Sequence, residues 1–326
     1  MINIAILGFG NIGSGVADVI EKNQAEIKNV LGDNLHVKYI LDIRDIPGVV
    51  NDINVIVNDP DVKVICETMG GKEPAYTYTH LALEHGISVC SSNKELVDAF
   101  GVELSAIARE HNCSYFFEAS VGGGIPVLRT IREACGHEKV SRIAGILNGT
   151  CNYILTNMKA GKDFADALKE AQEKGFAEAD PTADVDGFDA AAKIAILASI
   201  AFNSRVVMGD VPTEGIRSIS PVDLKNAREM GYAVKLLALA HRTDAGIDVR
   251  VHPTMISLSH QMAHVNGVDN AIYVTGDAVG ETMFFGEGAG AGPAASAVMG
   301  DVLEVSRHIA MGVPPIVGCT CTDKLP

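Results

Sequence analysis

Ile2-Asn3-Ile4-Ala5-Ile6-Leu7-Gly8-Phe9-Gly10-Asn11-Ile12-Gly13 opens the chain, and its reading decides the fold. Residues 2–7 are an apolar run of strand length. Gly8-x-Gly10-x-x-Gly13 follows at once, and Val16, Val19 and Ile20 then recur at helical spacing. Strand, glycine turn and helix together form the context that a dinucleotide-binding fingerprint requires. The first glycine permits a tight turn, the second lets the backbone approach a pyrophosphate, and the third allows the helix to pack closely on the strand. The helix start offers unpaired N–H groups to phosphate oxygens. Gly8, Phe9, Gly10, Asn11, Ile12 and Gly13 are therefore candidate cofactor-binding residues.

Working outward, strands are expected at 36–42, 53–57, 62–67, 87–91 and 114–118, with helices at 75–86 and 95–111. Strands alternating with helices indicate a Rossmann-type, doubly wound parallel sheet. The 36–42 strand ends at Asp42, which suits the ribose hydroxyls of NAD. Arg44, two residues on, suits the 2′-phosphate of NADP. Both coenzymes stay open.

The pattern changes after about residue 125. A helix over 125–135 with Pro126 in its first turn is expected, then a strand at 142–147, a polar amphipathic helix at 164–174 and an apolar helix at 187–202. Residues 231–241 read as strand or short helix, and 249–251 and 271–275 as short strands. These make a second, mixed α/β domain. A tail helix over 294–311 begins near Pro293 and leads to Gly312-Val313-Pro314-Pro315. The expected division is a dinucleotide-binding domain over 1–130, with the tail 294–326 packing back on it, and a substrate-binding and dimerisation domain over 131–293.

Composition sets the bounds. The 326 residues suit about two domains. With 47% apolar and 21% charged residues the chain is neither disordered nor fibrous. Lys plus Arg less Asp plus Glu is 26 − 41 = −15, which repels nucleic acid and anionic membrane surfaces. The seven cysteines are odd in number, scattered and without a CxxC, as reduced cytoplasmic thiols are. Cys319-x-Cys321 lacks the further ligands that zinc needs. No signal peptide is expected, and no apolar run reaches the ~18 residues of a membrane span.

Unusual residues concentrate in a few segments. Ser92-Asn93-Lys94 follows a strand at the carboxyl end of the sheet, where open α/β sheets bind ligands. Glu118-Ala119-Ser120-Val121-Gly122-Gly123-Gly124-Ile125-Pro126 exposes backbone groups that suit an anion or a hard cation. Residues 175–193, GFAEADPTADVDGFDAAAK, carry Glu178, Asp180, Asp184, Asp186 and Asp189 and then Lys193. Asp189 and Lys193 share one face of an otherwise apolar helix. A solvated i,i+4 pair contributes only about 0.3–0.5 kcal/mol, but the apolar neighbours of Lys193 point to a buried pair, poised for proton donation. Two more glycine-rich segments are Asn148-Gly149-Thr150-Cys151-Asn152-Tyr153 and Gly286 to Pro293, the latter containing Gly290.

Taken together these segments resemble homoserine dehydrogenase over nearly the whole chain. They are GFGNIGSG at the start, SNKELV at 92–97, EASVGGGIP at 118–126, GILNGTCNYIL at 145–155, AEADPTADVDGFDAAAK at 177–193, VHPTMI at 251–256, VNGVDNAI at 265–272 and GEGAGAGPAASAV at 286–298. The resemblance implies reversible hydride transfer between NADH or NADPH and aspartate 4-semialdehyde, giving L-homoserine for threonine, methionine and isoleucine biosynthesis. It implies that Lys193 donates a proton to the aldehyde oxygen and that Lys94 positions the substrate or relays the proton. Glu178 and Asp189 would bind homoserine, Glu178 at its ammonium, with Asp184 and Thr150 supporting them. Ser92, Asn93, Lys94 and Gly290 would touch the cofactor. Glu118, Val121, Gly123 and Ile125 resemble the family's site for a monovalent cation, sodium or potassium. A homodimer pairing through second-domain strands is also implied.

The sequence departs from the family in places. Phe176 stands where Tyr is frequent, Cys151 where Thr is common, and Asp42 where many members have an apolar residue before an Arg. Many bacterial members continue into a C-terminal ACT regulatory domain; this sequence stops at Pro326, which suggests a form without that domain or a chain cut before it. Two rival readings follow from the residues. One is a phosphorylating semialdehyde dehydrogenase with Cys151 as nucleophile. The other is a nucleotide-binding sensor without turnover, which the retained Lys94, Glu178, Asp189 and Lys193 argue against.

Overall fold

The computed structural model describes residues 1–44 and 46–313. Cys319-x-Cys321 and the end of the expected tail lie outside the described residues. Among the described residues the chain divides into two compact units, one built from Met1–Gly124 together with residues 290–313, the other from Ile125–Ala289.

The first unit holds a five-stranded parallel sheet in the order β2-β1-β3-β4-β5, with β1 at Ile2–Leu7, β2 at Leu35–Leu41, β3 at Val62–Glu67, β4 at Ser88–Ser91 and β5 at Tyr115–Phe116. Its helices are α1 (Asn11–Lys22), α2 (Gln24–Leu31), α3 (Ile53–Val57), α4 (Ala75–Glu84) and α5 (Lys94–Glu110). The predicted strand at 53–57 is a correction: it is α3, a short helix. Asp52 accepts a hydrogen bond from the Asn54 N–H and so caps a helix start. Ile53, Ile56 and Val57 are buried at helical spacing. A five-residue apolar run fits either period, and the cap decides. The chain therefore reaches β3 on the far side of β1 without building a strand beyond β2.

The second unit holds a five-stranded sheet in the order β10-β9-β6-β7-β8, antiparallel at every pair. Its strands are β6 (Arg142–Ile146), β7 (Tyr232–Thr243), β8 (Gly246–Ser257), β9 (Asp269–Gly276) and β10 (Gly280–Glu287). Its helices are α6 (Gly149–Lys159), α7 (Phe164–Glu173), α8 (Thr182–Val185), α9 (Phe188–Phe202) and α10 (Pro221–Glu229). The ambiguous 231–241 segment is strand, hairpinned to β8. That strand is far longer than the predicted 249–251, because Pro253 is tolerated within it: β8 is an edge strand. The predicted helix 125–135 forms over a shorter span, with residues 128–134 helical. It opens with an α-type bond from the Ile131 N–H to the Val127 carbonyl at 2.9 Å and widens into a π turn over Thr130–Ala134. The stretch before it is held in a turn by the Val127 N–H donating to the Ile125 carbonyl.

The last helix, α11 (Ala291–Met311), belongs to the first unit. Ala295, Val298, Met299, Val302 and Val305 join Ile2, Ile4 and Ile6 of β1 and Val16 and Ile20 of α1 in one core. A Cβ on Gly15 would lie 3.1 Å from the Ala295 Cβ, so glycine lets α1 and α11 pack closely.

Candidate active site

In the first unit β1 has β2 on one side and β3 on the other, so the strand order reverses beside it. Open parallel sheets bind ligands at the carboxyl ends flanking such a point. Gly8 there has φ of +87°. A Cβ on Gly13 would sit 2.0 Å from the Gly8 carbonyl oxygen, so only glycine lets α1 start this close to β1. A Cβ on Gly10 would meet nothing within 4 Å, so this residue borders open space. Gly10 is also the N-cap of α1, without a side chain to cap it, and the first turn has no acidic residue. The positive end of a 12-residue helix is left for a ligand anion. These donors and this gap fit a dinucleotide diphosphate.

Asp42 is tied to that turn. Its Oδ2 accepts from the Phe9 N–H at 2.7 Å and from Arg44 Nη2 at 2.9 Å. Its Oδ1 accepts from the Arg44 N–H at 3.0 Å and from Nε at 2.8 Å. Four donors fill the carboxylate's acceptor sites. The Arg44 side chain, with the backbone N–H groups of Arg44 and Phe9, holds the Asp42 carboxyl well below the usual carboxylate range. Arg44 itself stays half exposed and also donates to the Phe9 carbonyl at 2.5 Å.

β4 delivers Ser92, Asn93 and Lys94. Asn93 Oδ1 caps α5 by accepting from the Leu96 N–H at 3.1 Å, and its Nδ2 donates to the Gly71 carbonyl at 2.6 Å. Lys94 is the first residue of α5 and is half-buried. Glu67, which sequence reasoning passed over, ends β3 fully buried and anchors this region. Further along, Glu118 starts a short 3₁₀ turn and is buried, and its N–H donates to Asp301 Oδ2 of α11 at 2.9 Å. Val121 is buried, and Gly122 and Gly123 follow at φ +76° and +54°. Gly290 is the N-cap of α11 at φ +122°. Among the described residues no group of three His, Cys, Asp or Glu side chains is placed to hold a metal ion.

The second unit holds the acid–lysine site. Lys193 Nζ donates to Asp189 Oδ2 at 2.7 Å and to the Leu147 carbonyl at 3.0 Å. The two side chains are 12% and 7% exposed, so the pair is buried as the apolar helix required. Asn148 completes the cluster. Its Nδ2 donates to Asp184 Oδ1 at 2.6 Å and to Asp189 Oδ2 at 2.9 Å, while its Oδ1 caps α6 through the Cys151 N–H at 2.8 Å. Burial, then the like charge of Asp189, pushes the Asp184 carboxyl up. Thr150 Oγ1 donates to the Phe176 carbonyl at 2.6 Å, which ties α6 to the loop carrying Glu178. Phe176 therefore serves Thr150 through its backbone, whatever its side chain.

The structure thus brings together Thr150, Asp184, Asp189 and Lys193, and adds Asn148. The Glu178 side chain stands exposed, with no hydrogen bond among the described residues. Ile125 opens the second unit, whereas Glu118, Val121 and Gly123 lie in the first. Glu67 was missed, its one signal being a carboxylate closing an apolar strand, and Asn148 was noted only as the start of a glycine-rich segment, without its role.

A family model described as the homoserine dehydrogenase NAD-binding domain matches residues 8–118, and one described as homoserine dehydrogenase matches residues 126–303. The chain belongs to the homoserine dehydrogenase family. It is 42% identical to the homoserine dehydrogenase of a Synechocystis strain over 98% of this chain and 78% of that one. It superposes on a homoserine dehydrogenase from Thiobacillus denitrificans with a TM-score of 0.95 and 37% identity, covering 99% of this chain and 79% of the other. A hyperthermophilic archaeal homoserine dehydrogenase solved in complex with NADPH superposes with a TM-score of 0.80 at 27% identity, covering 96% and 99%.

The chain is accordingly an NAD(P)-dependent oxidoreductase with homoserine dehydrogenase activity, the interconversion of aspartate 4-semialdehyde and L-homoserine in amino-acid biosynthesis. Cys151 is not the nucleophile of a different dehydrogenase. It is buried, burial pushes its thiol well above the usual range, and its Sγ donates to the Asp184 carbonyl at 3.1 Å. A thiolate, the reactive species, is disfavoured there.

Proposed function

We propose that this homoserine dehydrogenase uses Lys193 as its proton donor and favours NADP. When bound at the Gly8–Gly13 turn, the coenzyme supplies or accepts the hydride. Lys193 holds a proton at Nζ and passes it to the substrate oxygen as that oxygen gains charge. Asp189 fixes Nζ in place, and Asn148 fixes Asp189 and Asp184 together. Asp184, with Thr150, lines the substrate side. Exposed Glu178, with no competing partner among the described residues, takes the substrate ammonium. Lys94, at the start of α5, orients the substrate or relays the proton, and Gly290 and Ser92-Asn93-Lys94 border the coenzyme.

The preference for NADP rests on the full acceptor complement of Asp42. A carboxylate already receiving four hydrogen bonds is a poor acceptor for ribose hydroxyls. It instead aims Arg44, whose half-exposed guanidinium suits a 2′-phosphate. A monovalent cation, sodium or potassium, is proposed at the Glu118–Val121–Gly123–Ile125 segment, where two consecutive left-handed glycines turn the chain.

A homodimer is supported by one face of the second sheet. Leu239, Ala144, Tyr273 and Met283 form a register row across β7, β6, β9 and β10. Leu239, Tyr273 and Met283 stay half-buried, and Phe285 of β10 is 58% exposed on the same face. An apolar face of this kind calls for a covering partner. All five described cysteines are free thiols, as the cytoplasm would keep them. No helix among the described residues is long and apolar enough to cross a membrane.

The observation that carries this reading is the buried Lys193–Asp189 pair beside Asn148 and Asp184. The test is coenzyme reduction with L-homoserine, offering NAD and NADP separately, with Lys193→Ala alongside. Turnover lost in the variant and faster with NADP supports it. Full turnover in the variant overturns the role of Lys193, and faster turnover with NAD overturns that of Arg44.

A further inference from the structure

Glu67 closes β3 beside the point where the strand order reverses, fully buried. Its Oε1 accepts from the Met69 N–H at 2.9 Å, and Ser91 Oγ donates to its Oε2 at 2.5 Å. Ser91 Oγ accepts from the Asn93 N–H at 3.0 Å, and the Asn93 side chain also reaches toward Glu67. These bonds fix two stretches of chain. One is Thr68–Met69, which wedges the glycine turn: Thr68 Oγ1 donates to the Leu7 and Gly8 carbonyls, and a Cβ on Gly8 would lie 2.9 Å from Met69 Cγ. The other is Ser91–Lys94, the start of α5.

The surroundings suit a neutral carboxyl. Its hydrogen-bond partners, the Met69 N–H, the Ser91 hydroxyl and the Asn93 side chain, are all uncharged. The ionisable group facing it from β5 is the Tyr115 phenol, and burial pushes that phenol well up. β1 brings no charged residue. On α5 the first-turn charges are Lys94 and the exposed Glu95. Burial pushes the Glu67 carboxyl up to about 7, against the hydrogen bonds from Ser91 and Met69 that lower it. A second, independent sign comes from Tyr115. Ser91 is the side chain facing its phenol, yet Oη is buried without a hydrogen-bond partner among the described residues. An orphaned buried hydroxyl is costly. It gains a donor if Ser91 is freed from Glu67.

We propose that Glu67 is a positioning residue of the nucleotide site and works in its protonated form, its carboxyl donating to Ser91 Oγ so that the Ser91 hydroxyl donates in turn to Tyr115 Oη. The proton comes from solvent. A dinucleotide diphosphate brings like charge to this end of the sheet, so a buried carboxylate without a counter-ion would oppose it. Coenzyme binding then takes up a proton wherever free Glu67 is ionised. The proposal rests on the seating of the coenzyme at Gly8–Gly13.

The test is equilibrium binding of NADH to the full chain by nicotinamide fluorescence, from about pH 6 to about pH 9. NADH has no group of its own titrating in that range. Expected for the wild type is a constant affinity on the acid side and ~tenfold weaker binding per pH unit above neutrality. Glu67→Gln, permanently neutral and of the same shape, should keep the acid-side affinity and lose the alkaline weakening. Tyr115→Phe removes the terminal acceptor and should move the weakening to lower pH. A flat wild-type profile, tighter binding at high pH, or a Gln variant that binds weakly at every pH overturns the proposal; the last would mark Glu67 as working ionised. Gly10→Ala separates the premise: NADH binding undiminished in that variant overturns the seating itself.

Discussion

Gly10 and Gly13 stand three residues apart in one turn, yet the structure gives them different reasons to be glycine. An added Cβ at Gly13 would lie 2.0 Å from the Gly8 carbonyl oxygen and 2.8 Å from Thr68 Oγ1. An ordinary C···O contact is about 3.3 Å, so α1 must retreat from β1 by about 1 Å or more. Overpacking of that kind costs about 1–3 kcal/mol or more. At the upper value the melting temperature should fall by roughly 6–12 °C. Gly10 has φ −81° and open space around its missing Cβ, so alanine fits the fold without strain. The Gly10→Ala variant should melt at or slightly above the wild type, because a more restricted unfolded chain contributes about 0.4–1 kcal/mol. The added methyl occupies the space reserved for the pyrophosphate, however. A displacement of about 1 Å at a bound group is worth on the order of a hundredfold, about 2.8 kcal/mol of coenzyme affinity. Thermal melts and coenzyme titrations on the two variants separate the effects. Gly13→Ala should lose stability and binding together, Gly10→Ala binding alone. Wild-type coenzyme affinity in Gly10→Ala would refute the reasoning, as would an unshifted melt in Gly13→Ala.

Other outcomes are expected at the remaining sites. Lys193→Ala should lower turnover by about 10²–10⁴ while coenzyme affinity, measured by titration, stays unchanged. Arg44→Ala should weaken NADP binding by roughly ten- to a hundredfold, as the loss of a charged hydrogen bond does, and leave NAD nearly unaffected; equal losses for both would place Arg44 away from the 2′-phosphate. Cys151→Ser should retain most of its turnover, since the hydroxyl can still donate to the Asp184 carbonyl. Glu67 also makes stability depend on pH. Its carboxyl is raised in the folded chain from 4.5 to about 7, so between those values the folded state holds a proton that the unfolded state has lost, and stability falls as pH rises. Melts of Glu67→Gln against wild type should therefore diverge in favour of the variant as pH approaches neutrality; a constant gap would contradict the raised carboxyl.

The nucleotide half of the fold was legible because its signals are local. Three glycines at fixed spacing, an apolar strand before them and a helical repeat after them lie within twenty residues. Ile53–Val57 was misread because five apolar residues satisfy either period and the deciding group, the Asp52 carboxylate, acts through one hydrogen bond. β8 was seen only in part because Pro253 looks like a break until the strand is known to be at an edge. Lys193 and Asp189 could be read from the sequence, being one helical turn apart on an apolar helix. Asn148 could not, because its meaning comes from Asp184 and Asp189, 36 and 41 residues away, which only the tertiary fold brings to it. Glu67 was passed over because a carboxylate at a strand end ordinarily faces water.

The return of α11 to the first unit bears on how the chain comes to be folded. The sheet of that unit is finished as a ladder once Phe116 is made, but part of its apolar cover, from Ala295 to Val305, is synthesised only after the whole of the second unit. On a ribosome the second unit, contiguous from Ile125 to Ala289, can close before the first one does. Until α11 emerges, the β1 and α1 side chains that it covers remain open to water and to other nascent chains. The glycine turn is thus written well before the helix that secures it. A chain interrupted anywhere before Ala291 would carry the whole nucleotide fingerprint with an incomplete core beneath it.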